Sequence, residues 1–139
     1  MPYTDKFFGV AVLQLPMKSK FEALDLQKEN LKDEKMKDVS LFMKDGELTV
    51  VMLPEIDHHT AKIIREAADA CIEKERPKRI ILDFSPVTFM DSSGLGLILG
   101  RVKKAEEKSA VVTVSGLSPK LNKLLRMSGI EKIKSLTLV

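Results

Sequence analysis

From residue 39 the chain alternates between two rhythms of apolar and polar positions. Residues 39–44 and 47–53 are β-rich runs separated by Asp45-Gly46. Asp-Gly between such runs marks a tight hairpin, because Gly tolerates the positive φ that a primed turn needs. In the second run Leu48, Val50 and Met52 alternate with Glu47, Thr49 and Val51, which leaves one face fully apolar. The rhythm then changes. Ala61, Ile64, Ala68, Cys71 and Ile72 recur at three- and four-residue steps, which predicts a helix over 60–75 stopped by Pro77. Residues 79–84 form a continuous apolar run between Pro77 and Pro86, the pattern of a strand buried on both faces. Ser92–Glu107 is the next predicted helix, with Leu95, Ile98, Leu99, Val102 and Ala105 on its apolar face. Val111–Ser115 is a further β run. Ser118-Pro119 opens a third helix with an N-cap serine and a first-turn proline; Leu121, Leu124 and Leu125 face inward and Gly129 ends it in the left-handed conformation. Residues 133–139 read as an edge strand. The order β-β-α-β-α-β-α-β predicts an α/β domain with crossover helices covering a mixed sheet.

The first 38 residues are patterned more weakly. The apolar stretch 7–15 is preceded by one acid, Asp5, and one base, Lys6, and followed by Pro16-Met17. It lacks the positive flank and the small-residue cleavage site of a secretory signal. Residues 21–37 carry a thin stripe of Phe21, Leu24, Leu31 and Met36, as a solvated or frayed helix would. The sequence shows no internal repeat and no low-complexity segment.

Composition narrows the function classes. At 139 residues and 44% hydrophobic, the chain has room for one domain with a core and none for two full ones. No apolar stretch approaches the ~18–20 residues of a membrane span. The single cysteine, Cys71, excludes an internal disulfide and a Cys-rich zinc site; it lies on the apolar stripe of its helix, as a buried thiol does, and suits a reducing cytoplasm. His58 and His59 leave little for a His-based metal centre. The net charge of +3 is too small to argue for nucleic acid or an anionic membrane. All of it resides after residue 38, since residues 1–38 hold seven basic and seven acidic side chains.

The segment that departs from plain core is Thr88-Phe-Met-Asp-Ser-Ser-Gly-Leu-Gly-Leu-Ile-Leu-Gly100. It joins a strand to a helix, puts Asp91, Ser92 and Ser93 at the helix start, and places Gly94, Gly96 and Gly100 in the first turns. Each glycine inside a helix costs about 0.8–1 kcal/mol relative to Ala. Close packing is one reason to keep them; a bare surface that a partner can approach is another. A serine hydrolase would need a base and a Gly-x-Ser-x-Gly elbow, and the elbow is absent. A nucleotide loop would need a different glycine spacing followed by Lys. A phosphorylated serine fits the chemistry, because free N–H groups and the helix dipole favour negative charge at a helix N-terminus. The plain alternative is that Asp91 or Ser92 is an N-cap and nothing more. A second polar loop, Glu55-Ile-Asp-His-His-Thr60, opens at the same end of such a sheet and would put Asp57 beside Ser92. Capping by Asp57 or Thr60 and a solvated His58-His59 pair are the plain readings there.

Three stretches together resemble the small STAS-domain anti-sigma factor antagonists. Glu55-Ile-Asp-His-His-Thr-Ala61 is similar to the family's Glu-(Leu/Ile)-Asp-x-x-(Thr/Ser)-Ala loop, and its His-His favours the sporulation branch over the general-stress one. Phe89-Met-Asp-Ser-Ser-Gly-Leu-Gly-Leu-Ile-Leu-Gly-Arg101 resembles the family's phosphorylation segment. Leu124-Leu-Arg-Met-Ser-Gly-Ile130 resembles its third-helix end, where Phe is usual at the place of Leu125. The resemblance covers residues 36–139.

It implies a STAS fold, a four- to five-stranded mixed sheet with helices mainly on one side. It also implies a partner switch. The unmodified protein would bind an anti-sigma factor serine kinase holding ATP or ADP and so free a sigma factor, sigma-F in the sporulation branch. Phosphorylation of Ser92 by that kinase would end binding, and a metal-dependent serine phosphatase would reverse it. The expected partner surface comprises Asp57, His58, Thr60, Asp91, Ser93, Gly94, Leu95 and Gly96. No catalytic residue, cofactor, metal, nucleic acid or membrane is expected. A general-stress antagonist or a non-switched STAS scaffold is the alternative. Two departures stand out. Pro54 replaces a usual Gly, so the turn before the loop is expected to differ. Residues 1–35 have no family counterpart, so they are expected to be a flexible extension or a product of a misassigned start, with Met36 opening a chain of 104 residues.

Overall fold

The computed structural model describes residues 6–8 and 39–139. Its elements are β1 (Lys6–Phe8), β2 (Ser40–Lys44), β3 (Glu47–Val51), β4 (Glu55–Ile56), α1 (His58–Glu75), β5 (Arg79–Asp83), β6 (Phe89–Met90), α2 (Ser92–Glu107), β7 (Val111–Ser115), α3 (Pro119–Met127), a 3-10 turn (Ile130–Lys132) and β8 (Leu136–Leu138). Of the expected N-terminal extension only β1 is among the described residues; the stretch 21–37 lies outside them.

The main sheet runs β1-β2-β3-β5-β7-β8. β1 and β2, and β2 and β3, pair antiparallel; β3, β5, β7 and β8 pair parallel, so the sheet is mixed. The β2–β3 turn has the backbone expected of Asp-Gly, with φ of 50° at Asp45 and 80° at Gly46. Register aligns Leu41, Val50, Leu82 and Val114 in one row, and Met43, Leu48, Ile80, Val112 and Leu136 in the next. These rows and the buried stripes of all three helices belong to one core. Burial of this apolar surface is the main favourable term in folding.

The opposite face carries Phe42, Thr49, Ile81 and Thr113 in register. Ile81 there is half-buried, so β5 is not enclosed on both faces as its unbroken apolar run predicts. The cause is that α1, α2 and α3 all feed the core on the other side. Two helix stripes also need correction. In α2 the buried residues are Gly94, Leu97, Ile98, Arg101, Val102 and Ala105. Leu99 is 40% exposed and Leu95 half-buried. In α3, Leu121 and Leu125 are buried but Leu124 is 50% exposed. Cys71 is fully buried. Among the described residues no helix is long and apolar enough to cross a membrane.

Candidate functional site

Two connections, β3 to α1 and β5 to α2, meet through a small parallel ladder. β4 pairs with β6, Glu55 opposite Phe89 and Ile56 opposite Met90. The Pro54 carbonyl accepts from the Thr88 N–H at 2.7 Å, and the Ile56 carbonyl from the Asp91 N–H at 3.1 Å. Proline keeps its carbonyl, so Pro54 serves as an acceptor in this seam. Directly beyond the ladder the chain becomes Asp57 on one side and Asp91-Ser92 on the other, and both helices start there. The expected juxtaposition of the two polar loops is therefore built by backbone pairing.

Each helix start is capped by an aspartate. Asp57 accepts from the Thr60 N–H at 2.9 Å, while the Thr60 hydroxyl accepts from the Asp57 N–H at 2.9 Å, a reciprocal capping box. Thr60 also donates to the Glu55 carbonyl at 2.8 Å. The Thr60 N–H holds the Asp57 carboxyl below the usual carboxylate range. Asp91 caps α2 by accepting from the Ser93 N–H at 2.8 Å. That bond leaves the Ser92 hydroxyl out of the cap, exposed at the first helical position.

The expected partner residues divide by exposure. Asp57 and Ser93 are half-exposed, and His58, Asp91 and Gly96 exposed, on this end of the domain; Leu95 is half-buried. Thr60 is 2% exposed, so it does not face a partner; it locks the Asp57 loop. Gly94 is buried as well: a Cβ there would come within 2.2 Å of Met90 Cγ and Sδ, which makes it a packing glycine. Gly96 and Gly100 have nothing within 4 Å of such a Cβ. Close packing is therefore the reason for Gly94, while the surface at Gly96 and Gly100 is bare.

Gly96 opens on a groove of about 400 Å³ between the first turns of α1 and α2, lined also by His58, Lys62, Arg65 and Ser93. Lys62 and Arg65 were not singled out by the sequence. Their spacing from His58, one helical face apart, was the available signal. The site thus joins an exposed serine at a helix start and two cationic side chains, an arrangement suited to meeting or carrying phosphate.

Residues 42–138 match the STAS domain. The chain is 41% identical over 88 residues to the anti-sigma F factor antagonist of Paenibacillus polymyxa, an alignment covering 63% of this chain and 75% of that protein. It is 30% identical over 100 residues to the anti-sigma-B factor antagonist of Listeria monocytogenes, covering 68% and 85%. Among solved structures it is similar to the anti-sigma factor antagonist SpoIIAA in its unphosphorylated form, with 30% identity, a TM-score of 0.56, and coverage of 64% and 82%. The phosphorylated form of SpoIIAA from Bacillus aligns with a TM-score of 0.59 and 28% identity, covering 73% and 90%.

Proposed function

The chain belongs to the STAS-domain family, among its anti-sigma factor antagonists, and on that premise we propose that it is a phosphorylation-controlled switch acting on an anti-sigma factor kinase. Residues 36–139 carry the activity, in the cytoplasm. The unphosphorylated form binds the nucleotide-loaded kinase through the Asp57 and Ser92 loops and frees the sigma factor. The kinase phosphorylates Ser92, which ends the interaction, and a metal-dependent phosphatase restores it. The protein itself turns over no substrate.

The observation that carries this reading is the exposed Ser92, left out of the Asp91 cap and followed by Ser93, which lines a groove with Lys62 and Arg65. Those cations favour approach of a phosphate-bearing partner. A phosphate on Ser92 adds about −1.5 to −2 charges at pH 7. It would neutralise the groove and repel the nucleotide phosphates of the kinase. A like-charge contact at an interface costs several kcal/mol. The bound state is thereby lost while the fold, anchored in the core beneath, stays intact.

Sigma-F is the sigma factor favoured by the His58-His59 pair and by the Paenibacillus relative. The Listeria relative supports a sigma-B role as the second reading. Incubation with the cognate kinase and ATP, followed by phosphosite mapping, is expected to place one phosphate on Ser92. No phosphate there would overturn the switch. Ser92→Ala is expected to stay bound to the kinase and Ser92→Glu to bind weakly.

A further inference from the structure

The third motif, Leu124-Leu-Arg-Met-Ser-Gly-Ile130, is only partly explained by the core. Leu125 and Ile130 are buried, but Leu124 is 50% and Met127 75% exposed. Lys120, Lys123, Leu124 and Met127 follow the i, i+3, i+4, i+7 rule, so they share one face of α3, with buried Leu121 also lining the groove beside them. This face forms one wall of a groove of about 330 Å³ whose other wall is Thr88, Phe89 and Met90. Phe89 is 54% exposed. Three large apolar side chains are thus exposed around one concavity. Among the described residues the only charged groups lining it are Lys120 and Lys123.

We propose that this groove is a second contact for the anti-sigma factor, taking an apolar segment of that partner flanked by Asp or Glu. The inference rests on the antagonist reading above and adds the chemistry of the partner's segment. Two features select this occupant. The charged side chains that line the groove are both cationic, which favours an acidic partner over a basic one. The groove is also continuous with the phosphorylation segment: Phe89 and Met90 are followed directly by Asp91 and Ser92. A partner poised over Ser92 reaches the groove by crossing β6. Exposed aromatic, Leu and Met side chains in a concave patch supply the apolar anchors that dominate binding energy. The i, i+3, i+4, i+7 face gives the Lys pair and the apolar pair separate stations along α3, with the cations toward its N-terminal end.

The test is calorimetric titration of the nucleotide-loaded anti-sigma factor kinase into the full chain and its variants, with Ser92→Glu as a control on the antagonist reading. Met127→Asp and Leu124→Asp are expected to weaken binding roughly tenfold or more. Met127→Leu is expected to restore it. Lys120→Glu with Lys123→Glu is expected to weaken binding and flatten its salt dependence. All these positions are exposed, so thermal midpoints are expected to stay at the wild-type value. If the wild type binds, Ser92→Glu does not, and every groove variant stays within about twofold of wild type, the groove proposal is overturned and the antagonist reading stands. If the wild type itself fails to bind, both fall. If Met127→Asp instead converts a dimer of the free chain to a monomer, a second copy occupies the groove and the proposal is overturned.

Discussion

The α1–α2 pair shows two uses of polar side chains on the same two helices. At the N-terminal ends, Asp57 and Asp91 are committed to caps, while Ser92, His58, Lys62 and Arg65 face outward. Further along, the polar groups are spent on one another. Arg101, 4% exposed, approaches Asp69 with Nε–Oδ1 at 2.9 Å and donates from Nη2 to Oδ2 at 3.1 Å. The first is an ion-pair contact and not a hydrogen bond, and Nη1 has no hydrogen-bond partner among the described residues. Burial outweighs the attraction of Arg101 and raises the Asp69 carboxyl. One turn on, Glu73 bridges Lys104 and Lys108. Charges that face each other within a helix pair hold the pair together; charges left facing solvent at its ends are available to a partner.

The sharpest way to break the inner region is Asp69→Ala. It strands the buried Arg101 charge and is expected to cost about 3–5 kcal/mol, read from denaturant unfolding. Phosphorylation of Ser92 by the kinase should continue at temperatures where the variant is folded, because the caps are untouched. Gly96→Ala probes the outer region with the opposite sign. A Cβ at Gly96 meets nothing within 4 Å, so the variant is expected to be more stable by about 0.8–1 kcal/mol, with weaker partner binding. Gly100→Ala meets open space too and is expected to gain similar stability. It lies one turn farther along and outside the groove, so binding should be unchanged. If both alanines left binding intact, the bare surface at Gly96 would have no part in recognition. The smallest effect concerns pH. Hydrogen bonds from Lys104 and Lys108 hold the Glu73 carboxyl down to about 2 from an ordinary 4.5. A lowered carboxylate stabilises fully above its unfolded value and progressively less as pH falls through the folded one. Glu73→Gln is therefore expected to flatten the decline in thermal midpoint between pH 4.5 and about 2.

The contrast also explains what could be read from the amino acids alone. Helix α2 begins and ends where the pattern places it, and the Asp45-Gly46 turn has the positive φ values its residues call for. Those features are local: a cap, a turn and a repeat within one segment. The buried stripes of α2 and α3 are rotated from those the sequence pattern predicts, because burial is set by the neighbouring element. Leu99 and Leu124 look like core residues yet face outward, and Arg101 looks like a surface residue yet lies beneath α1 against Asp69. The β4–β6 ladder was missed altogether. Two-residue strands have no period, and Glu55 and Phe89 are far apart in sequence. That ladder is what turns two separate polar loops into one candidate surface. The residues alone leave Asp91 or Ser92 as the cap of α2, and only the family resemblance singles out Ser92; the structure gives the cap to Asp91. Thr60 was legible as polar, but its burial against the Glu55 carbonyl was not.

The central claim is that the charge on Ser92 controls partner binding without disturbing the fold. Calorimetric titration of the nucleotide-loaded kinase into the unmodified chain and into the chain stoichiometrically phosphorylated on Ser92 tests it most directly. Phosphorylation is expected to weaken binding roughly a hundredfold or more, with the thermal midpoint of the free protein unchanged. Equal affinity for the two forms, or a loss of affinity accompanied by unfolding, would contradict it.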